Sequence, residues 1–77
     1  MMINKHEISW KESAKNMLKA ELQWRGISYD QLVTKLQAIG VDENYNSVNT
    51  KINRGSFSFI FVLQCLTAIG ANEIRLN

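Results

Sequence analysis

A polar segment in the middle of the chain holds most of the side chains that could recognise another molecule. Residues 45–54, YNSVNTKINR, contain only two aliphatic side chains, Val48 and Ile52, which lie four residues apart on one helical face. Almost all other positions are hydrogen-bond donors or acceptors: Tyr45, Asn46, Ser47, Asn49, Thr50, Lys51, Asn53 and Arg54. A short helix that buries so little and exposes so many polar groups is typical of a recognition surface.

The residues that could support catalysis do not form a suitable pattern. His6 is the only histidine, and Cys65 is the only cysteine. Cys65 lies in an apolar stretch with no base assigned to it, where a lone cysteine is usually a small core residue. No ligand cluster has the spacing of a metal site, and no glycine-rich loop precedes a helix. The sequence therefore predicts a protein that is not an enzyme and has no cofactor or metal.

Capping residues predict where the helices that position the polar segment begin. Ser9 and Ser28 are followed three residues later by Glu12 and Gln31, which is the capping-box pattern. Ser58 is the expected N-cap of a last helix that runs to about residue 69. The start of the third helix is left open among four candidates: Asp42, Asn44, Asn46 and Ser47.

Glycines predict where these helices end. One glycine follows each apolar-periodic stretch: Gly26, Gly40, Gly55 and Gly70. Four helices, or five at most, with short connections predict an all-α bundle with a small shared core. We expect residues 1–8 to form a loose leader and residues 9–70 to form the domain. In the tail, residues 71–77, Ile74 and Leu76 alternate with polar residues, which predicts a short strand.

Apolar spacing predicts the buried helix faces. In the first helix these positions are Trp10, Ala14, Met17, Leu18 and Leu22. In the second they are Leu32, Val33, Leu36 and Ile39. The last helix has one face formed by Phe59, Val62, Leu63, Leu66 and Ile69, and a second formed by Phe57, Phe61 and Cys65. One face cannot hold all of these residues, so either neighbouring helices cover both or some of them contact a partner.

Composition and charge narrow the class of protein only slightly. The 77 residues carry nine basic and seven acidic side chains, a net charge of +2, which permits nucleic-acid binding without arguing for it. Lys11, Lys15 and Lys19 form a row that we interpret as a solvated helix face rather than a phosphate-facing one. The sequence shows no membrane span or signal peptide, and a single cysteine suits a reducing compartment, which predicts a cytoplasmic protein.

The order of these motifs resembles the Cro/C1-type, lambda-repressor-like helix-turn-helix domains. The resemblance covers residues 10–70 and rests on RGIS, YDQLVTKL, a GV turn, INRG, and SFSFIFVLQCLTAIG. The KINRGSFSF and LQCLTAIG segments are more closely similar to a small uncharacterised bacterial family expected to share that fold. The chain departs from the pattern in a longer connection, QAIGVDENYNS, and in Ile60 and Phe61, where polar residues are usual.

The resemblance implies that the protein binds double-stranded DNA through its third helix, which would lie in the major groove. It makes six residues candidate base or backbone contacts: Tyr45, Asn46, Ser47, Asn49, Thr50 and Asn53. Lys51 and Arg54 would contact phosphates, and the helix N-terminus at Ser28–Gln31 would offer backbone N–H groups to another. The alternative is that these asparagines cap the helix or simply face solvent, and that Tyr45 packs on the core.

Proteins of this type gain affinity by dimerising on two half-sites. We expect a homodimer formed through spare apolar residues: Phe57, Ile60, Phe61, Cys65, Ile74 and Leu76. The alternative for these residues is that they complete the core of the monomer. The alternative for the whole protein is a protein-interaction module on the same fold, such as an antitoxin-like or phage-derived adaptor, with no affinity for DNA.

Overall fold

Residues 9–73 are described by the computed structural model, and they form four α-helices. In chain order these are α1 (Trp10–Trp24), α2 (Tyr29–Ala38), α3 (Tyr45–Arg54) and α4 (Phe59–Ile69). This part of the chain contains no strand, so the prediction of an all-α fold with four helices is confirmed. The predicted leader and the tail residues Ile74 and Leu76 lie outside the described residues.

Each helix begins at a capping side chain. The Ser28 hydroxyl accepts from the Gln31 N–H, and the Gln31 side chain accepts from the Ser28 N–H at 2.8 Å, so this capping box is complete. Ser9 caps α1 through the Glu12 N–H, but the Glu12 carboxylate pairs with Lys15 at 2.9 Å. Asn44 caps α3 by accepting from the Ser47 N–H, which settles the choice that the sequence left open. Ser58 caps α4, as predicted.

The four glycines after the helices all have a positive φ, as their predicted role requires. Gly55 is the most constrained, because the first turn of α1 lies directly against it. A β-carbon added at Gly55 would lie 2.1 Å from the backbone oxygen of Lys11. The backbone at the end of α3 is therefore in direct contact with the backbone at the start of α1.

The core is built where the four helices meet. α2 packs against both α3 and α4, and α1 packs against α3. The completely or almost completely buried side chains come from every helix: Leu18, Leu22, Leu32, Leu36, Val48, Ile52, Phe61, Cys65 and Ile69. Val41, just after α2, packs against this core, and its N–H returns to the Leu36 carbonyl at 2.9 Å.

Two predicted core positions are wrong. Trp10 is 80 % exposed, because it begins α1 and side chains of a helix lean towards its N-terminus, here away from Leu18 and Leu22. Ile39 is 45 % exposed, because it is the C-cap of α2 and its backbone has left the helical path. Apolar spacing therefore fails at the helix ends, where the helical geometry itself stops.

The predicted main face of α4 is right at Val62 and Ile69, which are buried, and at Leu66, which packs against the core, but it is wrong at two positions. The buried stripe is formed by Phe61, Val62, Cys65 and Ile69, whereas Phe59 and Leu63 are exposed. α4 has only two polar residues, Gln64 and Thr67, and no charged one. Its sequence therefore carries too little contrast to fix which side faces the core, and the packing against α2 decides it.

No helix within residues 9–73 is long and apolar enough to cross a membrane.

Candidate nucleic-acid interface

α3 turns a continuous polar face away from the core. Val48 and Ile52 are completely buried, as the sequence predicted. The exposed residues of α3 are Tyr45 at its first position and four on the side opposite the core: Asn46, Thr50, Asn53 and Arg54. Because α3 has no acidic residue, the charge on this outward face is positive and comes from Arg54. Arg54 forms no ion pair within the described part of the chain.

Two of the predicted contact residues bind each other. The Asn53 side-chain amide donates to the Asn49 backbone carbonyl at 2.8 Å and to the Asn49 side-chain oxygen at 2.7 Å. Asn49 is half-buried and Asn53 is exposed, so the pair lies at one border of the polar face. These bonds fix the orientation of both amides, while the side chains of Asn46 and Thr50 extend from the centre of the face.

Lys51 does not occupy the free position that a phosphate contact needs. Its ammonium group donates to the carboxylate of Glu43 and lies 5.1 Å from the centre of the Phe61 ring. The positive charge is therefore already paired with a carboxylate and also rests on an aromatic face. The Ser47 hydroxyl lies near the same carboxylate and also helps to lower its pKa. Two phosphate contacts were predicted on α3, Lys51 and Arg54. Of these two, Arg54 is the one that forms no ion pair within residues 9–73.

Glu43 is a buried residue beside the polar face of α3 that sequence reasoning missed. It lies in the connection between α2 and α3, and its side chain is only 7 % exposed. Burial by itself disfavours the charged carboxylate, but hydrogen bonds from Lys51 and Ser47 outweigh it and lower the pKa of Glu43. The sequence offers no signal for this burial, because Glu43 belongs to a run of polar residues that reads as a loop.

The N-termini of α2 and α3 lie side by side. The rings of Tyr29 and Tyr45 have centroids 6.1 Å apart at a tilt of 56°, the geometry of an attractive aromatic pair. Burial, followed by the nearby Tyr45 phenol, raises the pKa of Tyr29. The capping box already uses the Ser28 and Gln31 side chains, so this end of α2 offers backbone N–H groups beside the exposed carboxylate of Asp30.

One comparison with known proteins found a match. A family model described as a domain of unknown function, DUF6471, matches residues 10–74. The chain belongs to the DUF6471 family. Neither a curated protein nor a solved structure matches it. Since the family description assigns no activity, the function of this DUF6471 domain has to be argued from its own residues.

The DUF6471 domain has an exposed apolar patch at the start of α4. Phe59 is 71 % exposed, Ile60 is 68 % exposed and Leu63 is 48 % exposed. Of the residues predicted for a dimer interface, Ile60 belongs to this patch and Phe57 is half-buried, with its ring centroid 5.9 Å from that of Phe61. Phe61 and Cys65 are buried, which agrees with the alternative that they complete the core of the monomer.

The interior of this DUF6471 domain contains one cysteine and two acidic side chains. Burial raises the pKa of the Cys65 thiol to about 12, which removes its nucleophilic form at ordinary pH. A second buried acid, Glu21, lies 3.7 Å from the Arg25 guanidinium. Within residues 9–73, no group of histidine, cysteine, aspartate or glutamate side chains could hold a metal ion.

Proposed function

We propose that this protein binds double-stranded DNA as a helix-turn-helix domain of the lambda-repressor-like type, with α3 in the major groove. The observation that carries the proposal is the outward face of α3. It is continuous, rich in amide and hydroxyl groups, and free of acidic residues, while the helix keeps Val48 and Ile52 for the core. The major groove admits one α-helix and presents donors and acceptors that such side chains can pair with.

The chemistry of the exposed residues suits base edges and phosphates. Asn46 can pair with adenine through its amide, and Thr50 can contact a base or the thymine methyl group. Arg54, at the end of the helix, is the cation free to contact a phosphate or guanine. Among the predicted contacts, Lys51 is assigned to holding α3 in place because it hydrogen-bonds to Glu43, and Ser47 is assigned with it because it stabilises the same carboxylate.

A single recognition helix with one free cation binds weakly, because phosphate neutralisation supplies most of the affinity. We therefore propose that the protein acts as a homodimer that places two α3 helices about 34 Å apart, one helical turn of DNA. The surface best suited to join the copies is the apolar patch of Phe59, Ile60 and Leu63. α4 carries no charged residue, so two copies can meet there without like-charge repulsion.

The test is the salt dependence of binding to a random-sequence duplex, measured by fluorescence anisotropy. The expected result is binding at low salt that weakens as salt rises, because each neutralised phosphate releases counterions. Arg54→Ala should reduce the magnitude of the log–log salt slope by about 1. Lys35→Ala is the matched control, since Lys35 is exposed near the opposite end of α2 from Ser28. Absence of binding at low salt, or binding that salt does not weaken, would refute the proposal.

A protein-interaction module on the same fold is the second candidate. The observation that favours it is the apolar patch on α4, which is more exposed than a monomeric domain needs. It predicts no salt-dependent affinity for duplex DNA and a partner that covers Phe59 and Ile60. Selection of sites from a random DNA pool separates the two candidates, because only the DNA-binding protein enriches a shared sequence.

A further inference from the structure

Glu43 joins the two helices on either side of it by separate bonds. Its backbone carbonyl accepts from the Gln37 side-chain amide of α2 at 3.1 Å. Its carboxylate accepts from the Lys51 ammonium group, which belongs to α3. A single residue in the connection therefore holds α2 through its backbone and α3 through its side chain.

The contacts around Glu43 extend the junction to α4. The ammonium group that pairs with Glu43 lies 5.1 Å from the centre of the Phe61 ring, and Phe61 is buried in the core. Lys51 thus connects the carboxylate on one side with α4 on the other. The Glu43 carboxylate is buried while the Lys51 side chain is 43 % exposed, so removing Lys51 would leave a buried charge without its ion-pair partner.

α3 has few other directional contacts that could set its rotation, since the Tyr45 ring beside Tyr29 and the backbone approach of Gly55 to Lys11 lie at its two ends. Its buried residues are Val48 and Ile52, and two aliphatic side chains can pack in more than one rotation of a short helix. Hydrogen bonds to a fixed carboxylate are directional and exclude those alternatives. The direction in which Asn46 and Thr50 extend therefore depends on Glu43.

We infer that Glu43 is a positioning residue that fixes the rotation of α3 and thereby aims its outward face, and that Lys51 serves Glu43 rather than a phosphate. The inference deepens the proposed function and rests on it for the partner, which is the major groove of DNA. It assigns to the connection between α2 and α3 a role in recognition that its sequence does not suggest.

The experiment is a double-mutant cycle of Glu43→Gln and Lys51→Met on affinity for a random-sequence duplex. The cycle measures how far the two side chains act through each other. If Glu43 acts through Lys51, each single variant weakens binding by about tenfold, and the double variant is little weaker than either single one. In that case the slope of log affinity against log salt concentration is the same in the variants as in the wild type. If Lys51 instead contacts a phosphate, Glu43→Gln strengthens binding and Lys51→Met lowers the salt slope by about 1, which would overturn the inference.

A structural readout separates this inference from the proposed function. The ring contact between Tyr29 and Tyr45 reports the relative placement of α2 and α3 and is measurable by nuclear Overhauser effects. In a folded Glu43→Gln variant, loss or change of this contact supports the inference whether or not the wild type binds DNA. An unchanged contact together with wild-type affinity, or an unchanged contact alone if the wild type does not bind DNA, overturns it.

Two further variants provide a second test of the inference and a control. Gln37→Ala removes only the bond to the Glu43 carbonyl from an exposed side chain, so it tests the junction if Glu43→Gln does not fold. It should alter the same ring contact, and an unaltered contact counts against the inference. Glu12→Gln breaks a comparable ion pair, the exposed one with Lys15 on α1, and is expected to change neither the ring contact nor the affinity by more than about twofold.

Discussion

The backbone carbonyl of Lys11 occupies the space beside Gly55 that a side chain would need. Gly55 ends α3 with φ of +69°, and an added β-carbon would lie 2.1 Å from the Lys11 oxygen and 2.7 Å from its carbonyl carbon. Both atoms belong to the backbone of α1 and cannot rotate away. Gly55 is therefore required twice, once for its left-handed conformation and once for the approach of α1.

Gly55→Ala should destabilise the fold by roughly 3 kcal/mol or more, since the left-handed conformation costs about 1–2 kcal/mol and the clash adds to it. The measurement is the free energy of unfolding from urea denaturation. Gly70→Ala is the matched control, because Gly70 has φ of +76° but no atom within 4 Å of an added β-carbon. Equal losses for the two variants would contradict the close approach of α1.

Asn44→Ala should cost about 1 kcal/mol of stability, because it removes the side chain that accepts from the Ser47 N–H at 2.9 Å. Asn44→Asp should restore most of the loss, since aspartate is an equally good N-cap. Asn46→Ala is the comparison, because Asn46 was also a candidate cap in the sequence and lies exposed within the first turn of α3. A larger loss of stability for Asn46→Ala than for Asn44→Ala would indicate that Asn46, and not Asn44, is the N-cap of α3.

The helix caps illustrate which parts of this fold could be predicted from the sequence. The helix ends were predictable, because Ser28, Ser58 and the glycines act through their own backbone neighbours. The choice of Asn44 was not predictable, because Asn46 and Ser47 cap equally well and only the length of the connection excludes them. The phase of α4 was not predictable either, since an almost wholly apolar helix offers no polar side to mark its surface.

The candidate site was predicted in outline but not in its supporting contacts. The inward positions Val48 and Ile52 follow from spacing, and the exposed positions follow from them. The partnership of Glu43 with Lys51 and Ser47 depends on how the connection folds back over α3, which no local pattern encodes. The sequence therefore indicated the polar face correctly but treated Lys51 as free when its charge is paired.

Stability should fall in acid because of Glu43. Its pKa is lowered in the folded protein, so the unfolded chain takes up a proton first as the pH falls. The contribution is fully present above the ordinary pKa of 4.5 and is lost as the pH falls through the lower folded value. Glu43→Gln should lower stability at pH 7 by roughly 1–3 kcal/mol, below the value for a fully buried pair because Lys51 is partly exposed. The difference from the wild type should shrink below pH 4.5, and a constant difference across urea melts at pH 7 and pH 3 would contradict this role.

Cys65 should resist thiol reagents in the folded protein. The side chain is completely buried, and its pKa is raised to about 12 by burial and then by the nearby Glu43 carboxylate. At pH 8 the native thiol is therefore protonated and inaccessible, and reaction with a disulfide reagent should require unfolding. Because the folded pKa is raised, the thiol favours the folded state below its unfolded pKa and loses that effect as the pH rises. Rapid native labelling, at a rate unaffected by low urea, would be inconsistent with the buried position.

A charged residue on the apolar patch should separate the proposed dimer. Ile60→Glu places a carboxylate in the first turn of α4, where the helix dipole favours it, so the fold should be retained. The measurement is sedimentation equilibrium, and the dimer dissociation constant should rise at least about tenfold. Trp10→Glu, at an exposed apolar position in the first turn of α1, is the matched control and should leave association unchanged. A wild-type protein that remains monomeric at high concentration would refute the dimer.

The small share of α3 that enters the core has a consequence for how relatives of this protein can diverge. Val48 and Ile52 anchor the helix, and Glu43 holds its rotation, so Asn46, Thr50 and Arg54 support neither packing nor capping. Exchanges at those three positions cost the fold little. Under the proposed function, the side chains presented to DNA can therefore change one at a time without compensating changes elsewhere in the fold.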